Sequence, residues 1–374
     1  MRILIMYASY GGGHGSAAKA LRERFDMDYP QAEVQLIDAV EFASPVLNKV
    51  YKEGYVQITR NTPGLWGMIY FSADHEMGLR DMAVGINRLL AVKYSKLLKS
   101  VRPDVMVATH PFGVDMMAYH RKKNKSEWSG VKIGMVLTDY APHEIWFGSK
   151  DAVDLFFVAH ERMRTEMIRR GIDAGKIHVT GIPVSAQFQK NYSKEELCKA
   201  LGFSKNKPTV LYFPGGEYGL SSGIKNFVNL LNLDMDLQII AVTGKNKRLR
   251  TNFERLAANA GKKTYVFGYT DQVAEFMKLA DVVVAKPGGL TTTECIVSNV
   301  PMVAVLPIPG QEEQNAGYLV NSGQGLWAHK DENPADLVKE LLNSPLRISQ
   351  IKAMQSELAR PNAAQEICGI LMNG

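Results

Sequence analysis

The chain has 374 residues, 46% apolar and 22% charged, which excludes intrinsic disorder and is long enough for two domains. Three widely separated cysteines, Cys198, Cys295 and Cys368, form neither a zinc-type spacing nor a disulfide framework, so a reducing, cytoplasmic setting is expected. The formal net charge of +6 says little by itself; its distribution says more.

In chain order, Arg2–Tyr7 is too short an apolar run to cross a membrane and no cleavage site follows it, so it reads as a first buried strand. Further strands are expected at Glu33–Ile37, Asp104–Ala108, Lys132–Thr138, Asp154–Val158 and His178–Thr180. These runs are continuously apolar rather than alternating, the pattern of parallel strands covered by helices on both faces. The region 50–94 departs from it, with Trp66, Tyr70 and Phe71 among methionines and basic residues. It reads either as a helical insertion or as an amphipathic surface that touches lipid. From Arg80 to Lys125 ten basic residues, Arg121, Lys122, Lys123 and Lys125 among them, face three aspartates. Such a field suits a phosphate-rich surface or a nucleic acid.

Between the first strand and an alanine-rich amphipathic stretch lie Gly11, Gly12, Gly13 and Gly15, with His14 among them. A P-loop is excluded, because Lys19 follows two alanines where the motif needs Gly-Lys. A dinucleotide loop fits in part: Gly11 and Gly13 are in place and Asp38 ends the second strand, but Ser16 replaces the third glycine. The third reading is a loop that approaches a substrate and presents His14 for chemistry.

A polar stretch with two prolines after residue 181 places a domain boundary near 186, with a second domain over 187–345. The tail 346–374 is expected as a helix packing back on the first domain. Strands are expected at Thr209–Phe213, Gln238–Thr243, Thr264–Phe267, Val282–Ala285, Met302–Leu306 and Leu326–Ala328. The first of them leads into Gly215 and Gly216. After Val282–Ala285 comes Lys286-Pro287-Gly288-Gly289 and then a helix, an arrangement in which the amides of Gly289, Leu290 and Thr291 and the threonine hydroxyls suit a diphosphate. Glu294 on that helix suits two ribose hydroxyls. Gln311 and Asn315, four apart on the next helix, suit the hydroxyls of a sugar. Two Asp-Met-Asp triplets, 26–28 and 234–236, mimic a metal-binding motif but read as solvated loops, so no metal is expected.

The strings YGGGHGSAAKAL, LTDYAPHEIW (137–146), GIPV (181–184), KPGGLTTTE and PGQEEQN resemble glycosyltransferase family 28 over nearly the whole chain, most closely the monogalactosyl- and processive diglucosyl-diacylglycerol synthase branch. The resemblance implies a GT-B fold, two Rossmann-like doubly wound domains facing across a cleft, with no metal or cofactor. It implies a UDP-sugar donor on the second domain, held by Gly215, Gly216, Gly268, Tyr269, Gly288–Thr291, Glu294, Gln311 and Asn315. A diacylglycerol or glycosyl-diacylglycerol acceptor would meet the first domain at Gly11–Gly13 and Gly15. Anionic membrane, rather than nucleic acid, would be met through Trp66 and the 121–125 cluster, at the cytoplasmic face of the cell membrane. His14 matches the family's glycine-loop histidine and is expected as the base, with Asp139 or His143 as orienting groups or substitutes for it. A soluble NAD-dependent or sugar-epimerising enzyme and a nucleotide-sugar sensor are the competing classes.

Overall fold

The computed structural model describes residues 1–9, 12–45, 48–49, 54, 93–215 and 221–373; of the expected site residues, Gly11, Trp66 and Gly216 lie outside this set. The described residues form two compact units, and each is built on a six-stranded parallel sheet. The first comprises Met1–Ala186 with Pro309–Gln311 and Arg360–Gly374; the second comprises Gln187–Ile308 and Glu312–Ala359.

In the first unit the strands are β1 (Arg2–Tyr7), β2 (Glu33–Asp38), β3 (Val105–Ala108), β4 (Lys132–Val136), β5 (Leu155–Val158) and β6 (Ile177–Val179), ordered β2-β1-β3-β4-β5-β6. β3 is buried along its whole length, as its unbroken apolar run requires. β1 sits between β2 and β3, with Tyr7 beside Asp38 and Met6 beside Ala108. The chain therefore reverses its direction of travel across the sheet at the β1/β3 pair, the position at which open parallel sheets leave a crevice at their carboxyl ends. Ile3, Ile5, Phe25, Val107, Val136 and Phe157 fill the core with Leu371. Each such side chain contributes about 1.5–3 kcal/mol when fully buried.

The second unit carries β7 (Thr209–Tyr212), β8 (Gln238–Val242), β9 (Thr264–Phe267), β10 (Val282–Ala285), β11 (Met302–Ala304) and β12 (Gly325–Trp327), ordered β12-β11-β10-β7-β8-β9. Its reversal falls at the β7/β10 pair. Tyr212, Phe227 and Phe253 stack in its core, the two phenylalanine rings 4.0 Å apart.

The tail differs from the single helix expected over 346–374. Helix Pro345–Leu358 belongs to the second unit, where buried Gln355 donates to Val300 O and Gln324 O, both at 2.9 Å. After a break at Pro361, helix Ala363–Asn373 lies on the first unit, with Cys368 Sγ 3.7 Å from Leu21 O. Proline cannot continue a helix, so the chain changes direction there.

Candidate functional site

In the first unit, the carboxyl ends of β1, β3 and β4 converge on His14. Gly12 caps helix Gly13–Asp28 at φ 71, a left-handed conformation that a residue with a Cβ rarely adopts. This turn sets His14 in the first turn of the helix. Its Nδ1 lies 2.7 Å from Thr109 O, beyond β3, and 2.8 Å from Thr138 Oγ1, beyond β4. A carbonyl only accepts, so Nδ1 carries the proton and Nε2 keeps its lone pair. Thr109 Oγ1 returns a hydrogen bond to His14 O at 2.8 Å, locking the backbone to the same strand end.

The ring of His110 stands edge-on to His14 at 4.9 Å, and the buried Trp146 ring lies 6.1 Å away. Burial pushes the His14 pKa below its ordinary value, partly offset by the negative charge of Asp139 and the Thr109 carbonyl. His110 is held well below the ordinary value by burial, with the neighbouring His14 adding to it. The pocket therefore holds a neutral imidazole at pH 7 with an acidic group beside it, the charge state of a general base.

Asp139 thus acts on His14 through its charge. His143 has a different place. It caps the short turn Glu144–Phe147, its Nδ1 accepting from Ile145 N at 3.2 Å, and that turn carries Trp146. Thr109, His110, Thr138 and Trp146 were not anticipated as site residues. The only trace of the first two is a Thr-His-Pro at the end of a buried strand next to β1.

In the second unit, Gly215 after β7 and Lys286–Gly289 after β10 lie at the strand reversal. Gly215 has φ 110, and a Cβ there would come 2.7 Å from Lys286 Cδ, so the lysine stem lies over this glycine's backbone. Lys286 Nζ reaches Glu312 Oε2 at 3.0 Å, and both side chains are largely buried, 14% and 11% exposed. The same carboxylate accepts from Ile308 N at 2.7 Å, tying the Pro-Ile-Pro-Gly loop to the glycine loop.

The first helical hydrogen bond beyond β10 runs from Thr292 N to Gly288 O at 2.9 Å. The amides of Gly289, Leu290 and Thr291 precede it and have no partner among the described residues, as expected of an anion cradle. The three threonines do not share the task proposed for their hydroxyls. Thr293 Oγ1 donates to Gly289 O at 2.7 Å and Thr292 is fully buried, which leaves the half-buried Thr291. Glu294 is half-buried without a hydrogen-bond or ion-pair partner among the described residues, and burial pushes its pKa up to about 8. Gln311 opens helix Gln311–Asn321 and Asn315 is fully buried on it. Gly268 packs against Arg250 and Gly244 O, and the exposed Tyr269 ring lies 6.0 Å from Lys245 Nζ.

Arg121 departs from its expected role as a membrane contact. Its guanidinium turns inward, donating to Ala152 O at 2.9 Å and to Val131 O and pairing with Asp154 at 3.1 Å. Lys122, Lys123 and Lys125 are exposed. The first Asp-Met-Asp triplet is likewise no loop. It ends helix Gly13–Asp28, Asp26 and Asp28 pairing with Arg22 and Arg24 one turn back. In the second, Asp236 pairs with Lys207.

Comparison with known proteins agrees with this layout. Residues 14–184 match the family model for monogalactosyldiacylglycerol (MGDG) synthase, and residues 216–367 that for the glycosyltransferase family 28 C-terminal domain. The processive diacylglycerol beta-glucosyltransferases of Bacillus pumilus and Bacillus subtilis are each 26% identical over 366 residues, 98% of this chain and 93% of theirs. Among solved structures, Acinetobacter baumannii MurG superposes with a TM-score of 0.64 at 15% identity. The UDP-GlcNAc 2-epimerase of Neisseria meningitidis, bound to UDP-GlcNAc, gives 0.65 at 12%. Both cover all of each chain, and at these identities the likeness is one of fold. Two parallel doubly wound units, each with a glycine loop at its strand reversal, define a GT-B protein. The two matched halves place the chain in glycosyltransferase family 28.

Proposed function

We propose that this chain is an inverting glycosyltransferase that moves a hexose, glucose or galactose, from a UDP-sugar to diacylglycerol or a glycosyl-diacylglycerol, at the cytoplasmic face of the membrane. The observation that carries the reading is the 2.7 Å contact of His14 Nδ1 with the Thr109 carbonyl. With Nδ1–H committed to Thr109 O, Nε2 is the nitrogen left to take the proton of an acceptor hydroxyl. The hydroxyl oxygen then attacks the anomeric carbon as the bond to UDP breaks. A single in-line displacement of this kind inverts the anomeric centre. Asp139 stabilises the imidazolium that forms.

The amides of Gly289, Leu290 and Thr291 and the ammonium of Lys286 are suited to the negative charge of the departing diphosphate. Glu294 suits the ribose diol, and Gln311 and Asn315 suit the hexose. The activity for which the Bacillus relatives are named supports the lipid acceptor. The described residues include no helix long and apolar enough to cross a membrane.

The test supplies purified protein with radiolabelled UDP-glucose or UDP-galactose and diacylglycerol in anionic vesicles, and separates the lipids. Labelled glycolipid is expected. Release of an epimerised sugar with no labelled lipid would instead support the activity that the epimerase folds carry.

A further inference from the structure

The loop that follows β4 carries Thr138 and Asp139, both of which act on His14, and then His143 and Trp146. One short helix, Glu161–Arg169, holds this loop at both ends. At its N-terminus, His160 caps the helix, Nδ1 accepting from Met163 N at 3.3 Å. Its other nitrogen, Nε2, donates to Tyr140 O at 3.0 Å, and the two rings stack with centroids 6.0 Å apart. At the C-terminus, Arg170 pairs with Glu144 at 2.8 Å and lies 5.4 Å above the Phe147 ring. The loop is thus braced on either side of His143.

Aspartate, asparagine or serine would cap this helix as well as histidine does. Only a longer side chain with a donor opposite its acceptor also reaches the Tyr140 carbonyl. Both bonds need the neutral ring with the proton on Nε2, and burial keeps it neutral, with a pKa of about 4. Asp139 is one peptide from the bonded carbonyl, so the bond fixes the backbone that aims Asp139 and Thr138 at His14.

We infer that His160 is a positioning residue for the transfer reaction, acting through the 138–140 backbone to hold Thr138 and Asp139 in place against His14, with Arg170 the second fixing point. The inference rests on His14 being the base. His160→Asn isolates it, because asparagine keeps the helix cap and is too short to hold Tyr140 O. Three variants, His160→Asn, Arg170→Met and His14→Ala, are assayed for kcat against pH and for UDP affinity by calorimetry.

His160→Asn is expected to lower kcat about ten- to a hundredfold, the scale of a small misplacement of a catalytic group. UDP affinity should stay unchanged, and the acid limb of the kcat profile should move to lower pH as Asp139 loses its fixed place beside His14. Arg170→Met should show the same signature more weakly. A merely structural role would reduce the active fraction without moving the acid limb. Wild-type kcat and an unmoved limb in His160→Asn, with His14→Ala inactive, would overturn the inference alone. A fully active His14→Ala would overturn the assignment of the base instead.

Discussion

His14 gains its chemistry from a proton placement. A histidine free in solution divides its proton between two nitrogens, whereas here a carbonyl 2.7 Å from Nδ1 settles the choice. Because its pKa is lowered by burial, the reactive neutral form persists to more acidic pH than in an ordinary histidine. The expected kcat profile therefore falls on the acid side at a pH below 6.5, and His14→Ala loses roughly a hundredfold or more in kcat with UDP affinity intact. Steady-state rates from pH 5 to 8, with UDP titrations alongside, check both outcomes. Glu294 presents the opposite case. Its folded pKa of about 8 stands above the ordinary carboxyl value, so the folded chain holds a proton that the unfolded chain releases. The associated stability is full below the unfolded pKa, and it is lost as pH rises through about 8. Without nucleotide, the wild type should lose stability between about pH 5 and 8, while Glu294→Gln should lose less. Thermal midpoints across that range are the measurement. On the proposed role of Glu294, UDP binding should reverse the preference, with ribose hydroxyls as partners of the carboxylate; calorimetry near pH 7 in buffers of different ionisation enthalpy should then register proton release.

At the scale of elements, the twelve strands of the described residues were legible, because apolar runs bounded by glycine, proline and polar residues, continuous in most of them and alternating in β2, leave little freedom in a parallel sheet. The two glycine loops were legible for a related reason: each follows a strand that the fold places at a reversal. What local pattern could not supply was direction. The basic run 121–125 reads as one cluster, yet neighbours on a helix point about 100° apart, and Arg121 turns to the starts of β4 and β5 while Lys122 and Lys123 are exposed. His110 and Trp146 stayed hidden because their meeting with His14 depends on β3 and β4 lying side by side, a tertiary fact. The split tail was readable in principle, since Pro361 follows a helical run and precedes another. Arg121 belongs to this scale as well, joining helix Pro111–Lys123 to the strand ends at Val131, Ala152 and Asp154. Arg121→Met takes the guanidinium away from the Val131 and Ala152 carbonyls and from Asp154, which keeps only its bond from Ile133 N, and should cost about 1–3 kcal/mol. A denaturant titration should show a lowered midpoint, while UDP affinity in the folded baseline stays as in wild type.

For the molecule as a whole, what remains is how a chain with the proposed lipid acceptor meets a bilayer. Removing Arg121 from the surface leaves Lys122 and Lys123 in the last turn of helix Pro111–Lys123, with Lys125 just beyond it at the start of the turn Lys125–Trp128. A helix C-terminus carries partial negative charge, so cations gather there for local reasons as well, each contributing about 0.3–1 kcal/mol. The membrane reading asks more of them, on the order of 1 kcal/mol per lysine at an anionic surface, with screening over a Debye length of about 8 Å at physiological salt. The two readings part on replacing all three by glutamine. If the lysines serve only the helix dipole, a small loss of stability follows and vesicle binding stays put. If they meet anionic lipid, binding to phosphatidylglycerol vesicles falls at low salt and its salt dependence flattens. Glycolipid formation then falls with it, while UDP affinity, which the proposed function assigns to the other unit, holds. We expect the second outcome, and co-sedimentation across a salt series measures it. A triple variant that sediments like the wild type at low salt would return these lysines to the solvated surface and leave lipid contact to the 50–94 stretch.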